Sequence, residues 1–551
     1  MGSIEENIEP RVEVEIASIK TKETVSGFHF GMASALLCGG LLMGLAPVNA
    51  WPLAWVALVP LWWLNRLPHL HTLSALGYAS IWGVAYHGVA LSWITGLHPM
   101  MWMGMSWLGS VSVTLFSWMF ITVWGAAIGM TWTGLMMVMS RWQWPISGFT
   151  RVLLGTALWC AIEWTWSRGP LYWSSLSYTQ SPHNLLGLQL SQLSGPMTVT
   201  AAVVGVNGLF SEMWEIGDSG VRRFRIRQHL GRISPRFGAY AIALFLGLHL
   251  IGIILYSRPL ADGVDTEISV GLIQGNIPTD QKLTDKGIQT SQQVYLDGYE
   301  SLAEAGADLV LTPEGTIPQA WNASLQDRNL FQRAVTNSGV PLVLGTFAHQ
   351  NIDDSRTPLM QSLLLLTPDG SIAGRYNKVK LVPLGEYIPF EKVLKPIVDR
   401  LSPFAAKMTP GEVDQLLKTP FGPMATRICY ESAFAELFRW QVKQGGQAIF
   451  TASNNDPYPP QQMMQHHALD VMRAIESDRW EVRVTNTGIS GVVDPRGRSR
   501  WLSAPNEYAT HIVTIYKRQT HTLYVRWGDW LTPLLLVFTA IDFMRRRRLC
   551  K

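Results

Sequence analysis

Two patterns of hydrophobic and polar positions divide this chain. Up to about residue 256 the apolar residues form long, nearly unbroken runs; from about 265 to 516 they form short runs separated by polar, Gly- and Pro-bearing turns. Runs on the scale of a bilayer-spanning helix, about 17–25 residues, fall near 28–45, 50–64, 73–95, 106–138, 150–165, 195–214 and 237–256, with another near 527–544. The second and fifth are short and Trp-rich. This half predicts an α-helical integral membrane domain, with about eight transmembrane helices in the whole chain.

The second half reads differently. β-type runs at 267–273, 307–312, 341–346, 361–366, 423–428, 447–452, 481–486, 490–494 and 509–515 alternate with amphipathic helical stretches at 286–305, 325–338, 432–444 and 461–479. That alternation predicts an α/β layered fold. Continuous apolar strands such as Leu309-Val310-Leu311 predict a sheet covered on both faces. In such sheets ligands gather beyond the carboxyl ends of strands. Glu314, Cys429 and Asn454 all fall there.

Composition supports a membrane setting. The 551 residues exceed one ordinary domain. Charged residues make up 15%, against roughly 25% in soluble proteins. Most of the 24 Trp lie in the first 175 residues, which reads as an aromatic belt at a membrane interface. The net charge of +4 decides little, but its distribution is lopsided. With the N-terminus inside, the inside loops carry Arg66, then Arg141 and Arg151, then Arg222, Arg223, Arg225, Arg227, Arg232 and Arg236. The last span runs into Arg545–Arg548, and the outside connections offer Arg168 alone. The positive-inside rule then places 257–526 outside the cytoplasm. Because the Arg clusters flank apolar spans, a nucleic-acid partner is not expected.

The expected organisation follows. A disordered cytoplasmic lead (1–27, without a signal-peptide pattern) precedes a transmembrane domain of seven helices (28–256). An extracytoplasmic domain (257–520), a C-terminal transmembrane helix (527–544) and a basic cytoplasmic tail (545–551) complete it. Within the spans, the ionisable residues His87, Glu163 and His249 are functional candidates by default. The plainer alternative for Glu163 is an interfacial partnership near Arg168. The internal repeat and paired broken helices of a transporter are not evident.

The four cysteines include no CxxC pair, which argues against a disulfide framework or a metal site. Cys429 follows a strand-like run and opens a predicted helix, where backbone N–H groups can hold an oxyanion. Its plain alternative is a buried structural cysteine. Glu314, between Pro313 and Gly315, could be a general base or a solvated loop carboxylate. Lys378 or Lys380 could supply positive charge to the thiol and to an oxyanion, and spacing does not choose between them. Glu386 and Glu431 could orient that lysine or bind an ammonium group, and Asn454, Asn455 and Asp456 could close the cleft. His466, His467 and Asp470 invite a zinc reading, but no third ligand stands at motif spacing.

Together, LTPEGT (311–316), YNKVKLVPLGEYIPF (376–390), ICYES (428–432) and TASNND (451–456) resemble, in order, the Glu-Lys-Cys motifs of the nitrilase (carbon-nitrogen hydrolase) superfamily. GLIQGNIP (271–278), WPLAWVALVPL (51–61), the Glu163-Trp164 region and GDWL (528–531) extend the resemblance to the apolipoprotein N-acyltransferase family, over about residues 28–544. It implies an αββα sandwich on a helical membrane domain. By motif match it makes Glu314 the base, Lys378 the oxyanion lysine, Cys429 the nucleophile and the Tyr430 amide an oxyanion donor, with Glu386 and Glu431 in support. No cofactor or metal is implied. The implied acyl donor is a membrane phospholipid and the acceptor a diacylglyceryl apolipoprotein. The implied location is the bacterial cytoplasmic (inner) membrane, as a multi-pass monomer with its catalytic domain on the periplasmic side. The sequence departs from the family where SNNDPYPP (453–460) lacks an expected Trp and where Leu283 stands in place of another. A membrane-anchored nitrilase-type amidase and a transporter or receptor with a degenerate domain are the competing readings.

Overall fold

The computed structural model describes residues 9–67, 70–140, 147–214, 233–260, 262–321, 326–383, 385–387 and 408–549. Helices stand at every expected span. They comprise Glu9–Leu45, short turns over Trp51–Leu64, Thr72–Ala90, Trp107–Ser140, Gly148–Trp166, Pro196–Glu212, Pro235–Tyr256 and Leu531–Leu549. Eight spans are nevertheless not supported. Among the described residues, 3 helices are long and apolar enough to cross a membrane: Gly27–Leu45, Trp107–Ser140 and Pro235–Tyr256. The number rises to 4 if Leu185–Ser194 and Pro196–Glu212, bent by 119°, form one span. The shortfall has local causes. Trp51–Leu64 is divided into short pieces, two of which begin with prolines Pro52 and Pro60 in their first turns. Gly148–Trp166 carries Glu163, and Leu531–Leu549 ends in arginines.

The ends of the chain are more helical than the disordered lead expected. The lead is helical from Glu9 and continuous with the first span. The span supplies the costly helix nucleus, so adjoining Glu- and Lys-rich residues can extend it. At the other end, helix continues through residues 545–549 of the basic tail for the same reason. Arg141, Arg222, Arg223, Arg225, Arg227 and Arg232 lie outside the described residues. Arg66 and Arg151 converge on Glu212, at 3.5 and 2.8 Å.

The tryptophans are not all a belt. Trp62, Trp82, Trp132 and Trp159 are fully buried and pack edge to face within the bundle. The Trp132 indole donates to the Gly155 carbonyl (2.8 Å) and Trp82 to that of Ala57 (3.0 Å), which makes these rings tolerable in an apolar core. The outward stripes are instead residues such as Leu108, Phe116 and Val123, and Ile242, Leu246, Leu250 and Ile254.

Residues 267–516 form two sheets. The strands in chain order are β1 (Glu267–Gln274), β2 (Leu309–Leu311), β3 (Ile317–Trp321), β4 (Leu342–His349), β5 (Leu359–Leu366), β6 (Ile372–Asn377), β7 (Leu417–Thr419), β8 (Gly422–Ile428), β9 (Ile449–Ser453), β10 (Glu481–Thr485), β11 (Gly491–Val493), β12 (Ser499–Leu502) and β13 (Ala509–Tyr516). One sheet runs β13-β1-β2-β4-β5-β6, with β3 beside β4; the other runs β12-β11-β10-β9-β8-β7. Alternation sets the layers. Val270, Leu309, Leu311 and Leu363 of one sheet face Ile428, Phe450, Val482 and Val484 of the other. The intervening Val310 and Leu364 point outward, to Tyr295, Tyr299, Phe331 and Val335 of the helices Asp285–Glu304 and Gln326–Ser338. Helices Ala435–Lys443 and Pro460–Ser477 cover the second sheet. This is the αββα sandwich. β3, β6, β7 and β12 escape the hydrophobic pattern because they are short or polar.

Phe450 is fully enclosed between the sheets. Phe450→Ala should cost about 3–5 kcal/mol, read as a lowered unfolding midpoint of the purified full-length protein.

Candidate active site

Strand ends of both sheets meet at one buried centre. β2 leads into Thr312-Pro313-Glu314-Gly315, a turn pressed against β4. A Cβ on Gly345 would stand 1.8 Å from the Pro313 carbonyl oxygen, so only glycine permits the approach. Glu314 is 6% exposed. Its Oε2 accepts from the Asn454 amide (2.9 Å) and its Oε1 from Lys378 Nζ (2.8 Å).

Lys378 follows β6 and is anchored by its own N–H on the Gln361 carbonyl (2.8 Å). Its side chain is fully buried. Besides Glu314, Nζ reaches Glu386 Oε1 at 2.5 Å and Gln361 Oε1 at 3.5 Å. The other Glu386 oxygen accepts from Val382 N (2.8 Å), which fixes the carboxylate. Burial disfavours the ammonium, but Glu314 and Glu386 outweigh it and hold its pKa well above the ordinary value. Lys380, the rival by spacing, lies elsewhere: its Nζ is 3.4 Å from the Arg168 carbonyl and sits over the Phe434 ring.

Cys429 ends β8 with φ +51°, a left-handed conformation that costs a non-glycine residue on the order of 1–3 kcal/mol. Its Sγ lies 3.7 Å from the Asn454 carbonyl oxygen, while the Asn454 amide holds Glu314. Asn454 therefore joins thiol and carboxylate. Burial pushes the thiol up to about 12, Glu314 and Glu386 add to the rise, and Lys378 opposes it. At neutral pH the sulfur rests as a thiol, so attack requires a base, and Glu314 is the carboxylate placed beside it.

The supporting residues separate in role. Glu386 grips the lysine directly. Glu431 is fully buried below the centre and accepts from Val379 N (2.8 Å), Lys380 N (3.1 Å), Ile428 N (2.8 Å) and the Tyr376 hydroxyl (2.8 Å). It staples the Cys429 strand to the lysine strand, its oxygens taken by backbone and hydroxyl donors. The Tyr430 hydroxyl donates to the Pro170 carbonyl (2.8 Å) and accepts from Tyr172 N (3.0 Å), both in the membrane half.

The zinc reading dissolves. Asp470 pairs with Arg483, His467 lies 2.8 Å from the Ser499 hydroxyl, and His466 bonds Asn455 and the Cys429 carbonyl. Within the membrane half, Glu163 is buried and meets Thr200 (2.8 Å), Trp159 (3.1 Å), Leu176 N (3.3 Å) and Ser175 rather than Arg168. His87 bonds Ser174 (2.9 Å) and His249 bonds the Phe245 carbonyl (2.8 Å).

Some neighbours carried no local signal. Lys282 is 3% exposed, 3.5 Å from the Glu314 carbonyl; burial lowers its ammonium to about 8 against the pull of Glu314 and Asp456. In sequence it is one polar residue among several in TDQKL. Tyr458 packs edge to face on Trp93 of the membrane half, 5.0 Å between ring centres.

Comparison with known proteins now bears on this centre. Residues 38–209 match the apolipoprotein N-acyltransferase N-terminal domain, and residues 269–515 match carbon-nitrogen hydrolase. The apolipoprotein N-acyltransferase of Nostoc sp. is 46% identical over 499 residues, covering 90% of this chain and 95% of that protein. The chain belongs to the apolipoprotein N-acyltransferase family. The Synechocystis sp. apolipoprotein N-acyltransferase is 41% identical over 525 residues, covering 91% of this chain and 98% of that protein. Among solved structures, an amidase from Nesterenkonia sp. is 18% identical, covers 51% of this chain and all of that one, with a TM-score of 0.36. As an apolipoprotein N-acyltransferase family member, this chain is a membrane-associated acyltransferase enzyme built on a nitrilase-like domain.

Two outcomes follow from this geometry. Ionisation of Cys429 falls as pH drops below its raised pKa. At about pH 9 only about one part in a thousand should be thiolate, so Cys429→Ala should leave ultraviolet thiolate absorbance unchanged up to that pH. Gly345→Ala should displace the Glu314 turn and lower acyl transfer on the order of 10²-fold, measured as initial rate.

Proposed function

We propose that this enzyme transfers a fatty acyl chain from a glycerophospholipid, through a Cys429 thioester, to the α-amine of a diacylglyceryl-cysteine at a lipoprotein N-terminus. The observation that carries this reading is the position of the nucleophile at the seam with the membrane half. Tyr430, the next residue, is bonded to Pro170 and Tyr172 of that half. Two lipid substrates need a thiol at such a place.

In the first half-reaction Glu314 takes the Cys429 proton as Sγ attacks the ester carbonyl carbon. The oxyanion forms beside the Lys378 ammonium and the Tyr430 N–H. An ammonium has three donors. Two are held by Glu314 and Glu386, and the third has only a long contact to Gln361, so it is available to the oxyanion. Collapse breaks the C–O bond, and the proton on Glu314 passes to the leaving alkoxide, giving a lysophospholipid. In the second, the neutral α-amine attacks the thioester. Its pKa of about 7.7–8.0 leaves a useful neutral fraction near pH 7. Glu314 accepts the amine proton, the C–S bond breaks, and the proton returns to sulfur. Apolar surroundings protect the thioester from water between the two steps. The orientation argued from Lys and Arg distribution puts this centre on the periplasmic side of the bacterial cytoplasmic membrane.

Incubation with phospholipid alone should add one acyl mass to the Cys429 peptide. The adduct should be absent in Cys429→Ser, which should also abolish N-acylation. Glu314→Gln should slow adduct formation about 10²–10⁴-fold. A wild-type enzyme that hydrolyses a small amide but never acquires the adduct would instead be an amidase.

A further inference from the structure

We propose that His466 is a positioning residue for acyl transfer: it pins the Cys429 carbonyl, and so aims the Tyr430 N–H at the oxyanion. The inference rests on the thioester reading above. His466 is 1% exposed on the helix Pro460–Ser477, and its Nε2 lies 3.0 Å from the Cys429 carbonyl oxygen. The tautomer follows from the other nitrogen. Asn455 Nδ2 donates to His466 Nδ1 (2.9 Å) and to Gln462 Oε1 (2.8 Å), so Nδ1 accepts and Nε2 carries the hydrogen. Arg483 Nη1 also lies 3.0 Å from Nε2; it donates to Ser453 Oγ at 2.6 Å, while Nε and Nη2 of the same side chain hold the Asp470 carboxylate. Burial, and then that cation, keep the imidazole neutral, with its pKa lowered to about 3.

A carbonyl pinned on one side directs the N–H of the same trans peptide to the opposite side. Here that peptide joins Cys429 to Tyr430. Cys429 itself, at φ +51°, is in a sparsely populated backbone conformation that surrounding contacts must maintain. His466 is the side chain that supplies one. Its helix is in turn bolted to the membrane half. Gln465 Oε1 accepts from Trp93 Nε1 (3.0 Å) and Trp173 Nε1 (2.9 Å), and its Nε2 donates to the Ala90 carbonyl (2.9 Å). Trp173 also packs edge-on against the His466 ring at 5.4 Å.

The test uses the full-length purified enzyme with phospholipid micelles. Two rates are compared in wild type, His466→Ala and His466→Gln: acyl adduct formation on Cys429, and alkylation of the same thiol by iodoacetamide. Alkylation passes through no oxyanion. His466→Ala should slow acylation on the order of 10²-fold with little change in lipid KM, while alkylation stays within about twofold. His466→Gln, which retains an N–H donor, should recover much of the acylation rate. Acylation at the wild-type rate in His466→Ala overturns the inference, and so does a parallel loss of alkylation, which marks a merely structural role. A wild-type enzyme that forms no adduct overturns the thioester reading itself and this inference with it.

Discussion

One buried ammonium organises the centre of this enzyme. Lys378 Nζ has no exposure to water, and an isolated charge in such a place would be severely penalised. It is tolerated because two carboxylates close on it, Glu314 from the end of β2 and Glu386 from the turn beyond β6. The pairing fixes the distance between strand ends that are far apart in the chain. Burial of the Cys429 sulfur raises its pKa, Glu314 and Glu386 add to the rise, and Lys378 opposes it.

A second constraint is the grip between the two halves. The segment that follows helix Gly148–Trp166 is held from the membrane side by Glu163, through Ser175 and Leu176 N. From the other side it is held by the catalytic domain. Tyr178 donates to the Ala433 carbonyl (2.8 Å), Ser181 to that of Ala468 (2.6 Å), and Tyr430 joins Pro170 and Tyr172. Glu163 thus acts as a clamp on the seam. Its hydroxyl, indole and amide donors satisfy it without a counter-ion, as a buried carboxylate requires.

Most of the sandwich was legible because strands covered on both faces stand out as short apolar runs between polar turns. β1, β5, β8 and β13 lie within a few residues of their expected runs. β6 was not legible, since Ile-Ala-Gly-Arg-Tyr-Asn carries no alternation strong enough to detect. The count of eight spans is not confirmed, for a related reason. Hydropathy sees apolar composition, but Trp51–Leu64 is broken by its prolines and Pro196–Glu212 by the bend before it. Tryptophan composition was also ambiguous. The same ring serves a lipid interface or a helix–helix contact, and only the position of its N–H partner distinguishes the two.

The sequence alone determined the order of the motifs, the two-part organisation and the family whose chemistry they carry. It also singled out Glu314 and Cys429 at strand ends, and left Lys378 and Lys380 as rivals by spacing that the family motif alone ranked. Tertiary structure decided the rest. It separated Lys378 from Lys380, gave Glu386 to the lysine and Glu431 to the backbone, and turned His466 from a metal candidate into a partner of the Cys429 carbonyl. Each of these choices depends on residues distant in the chain, as Tyr376 and Ile428 are around Glu431. Local pattern reports which face a residue takes on its own element; it does not report which element arrives to meet it.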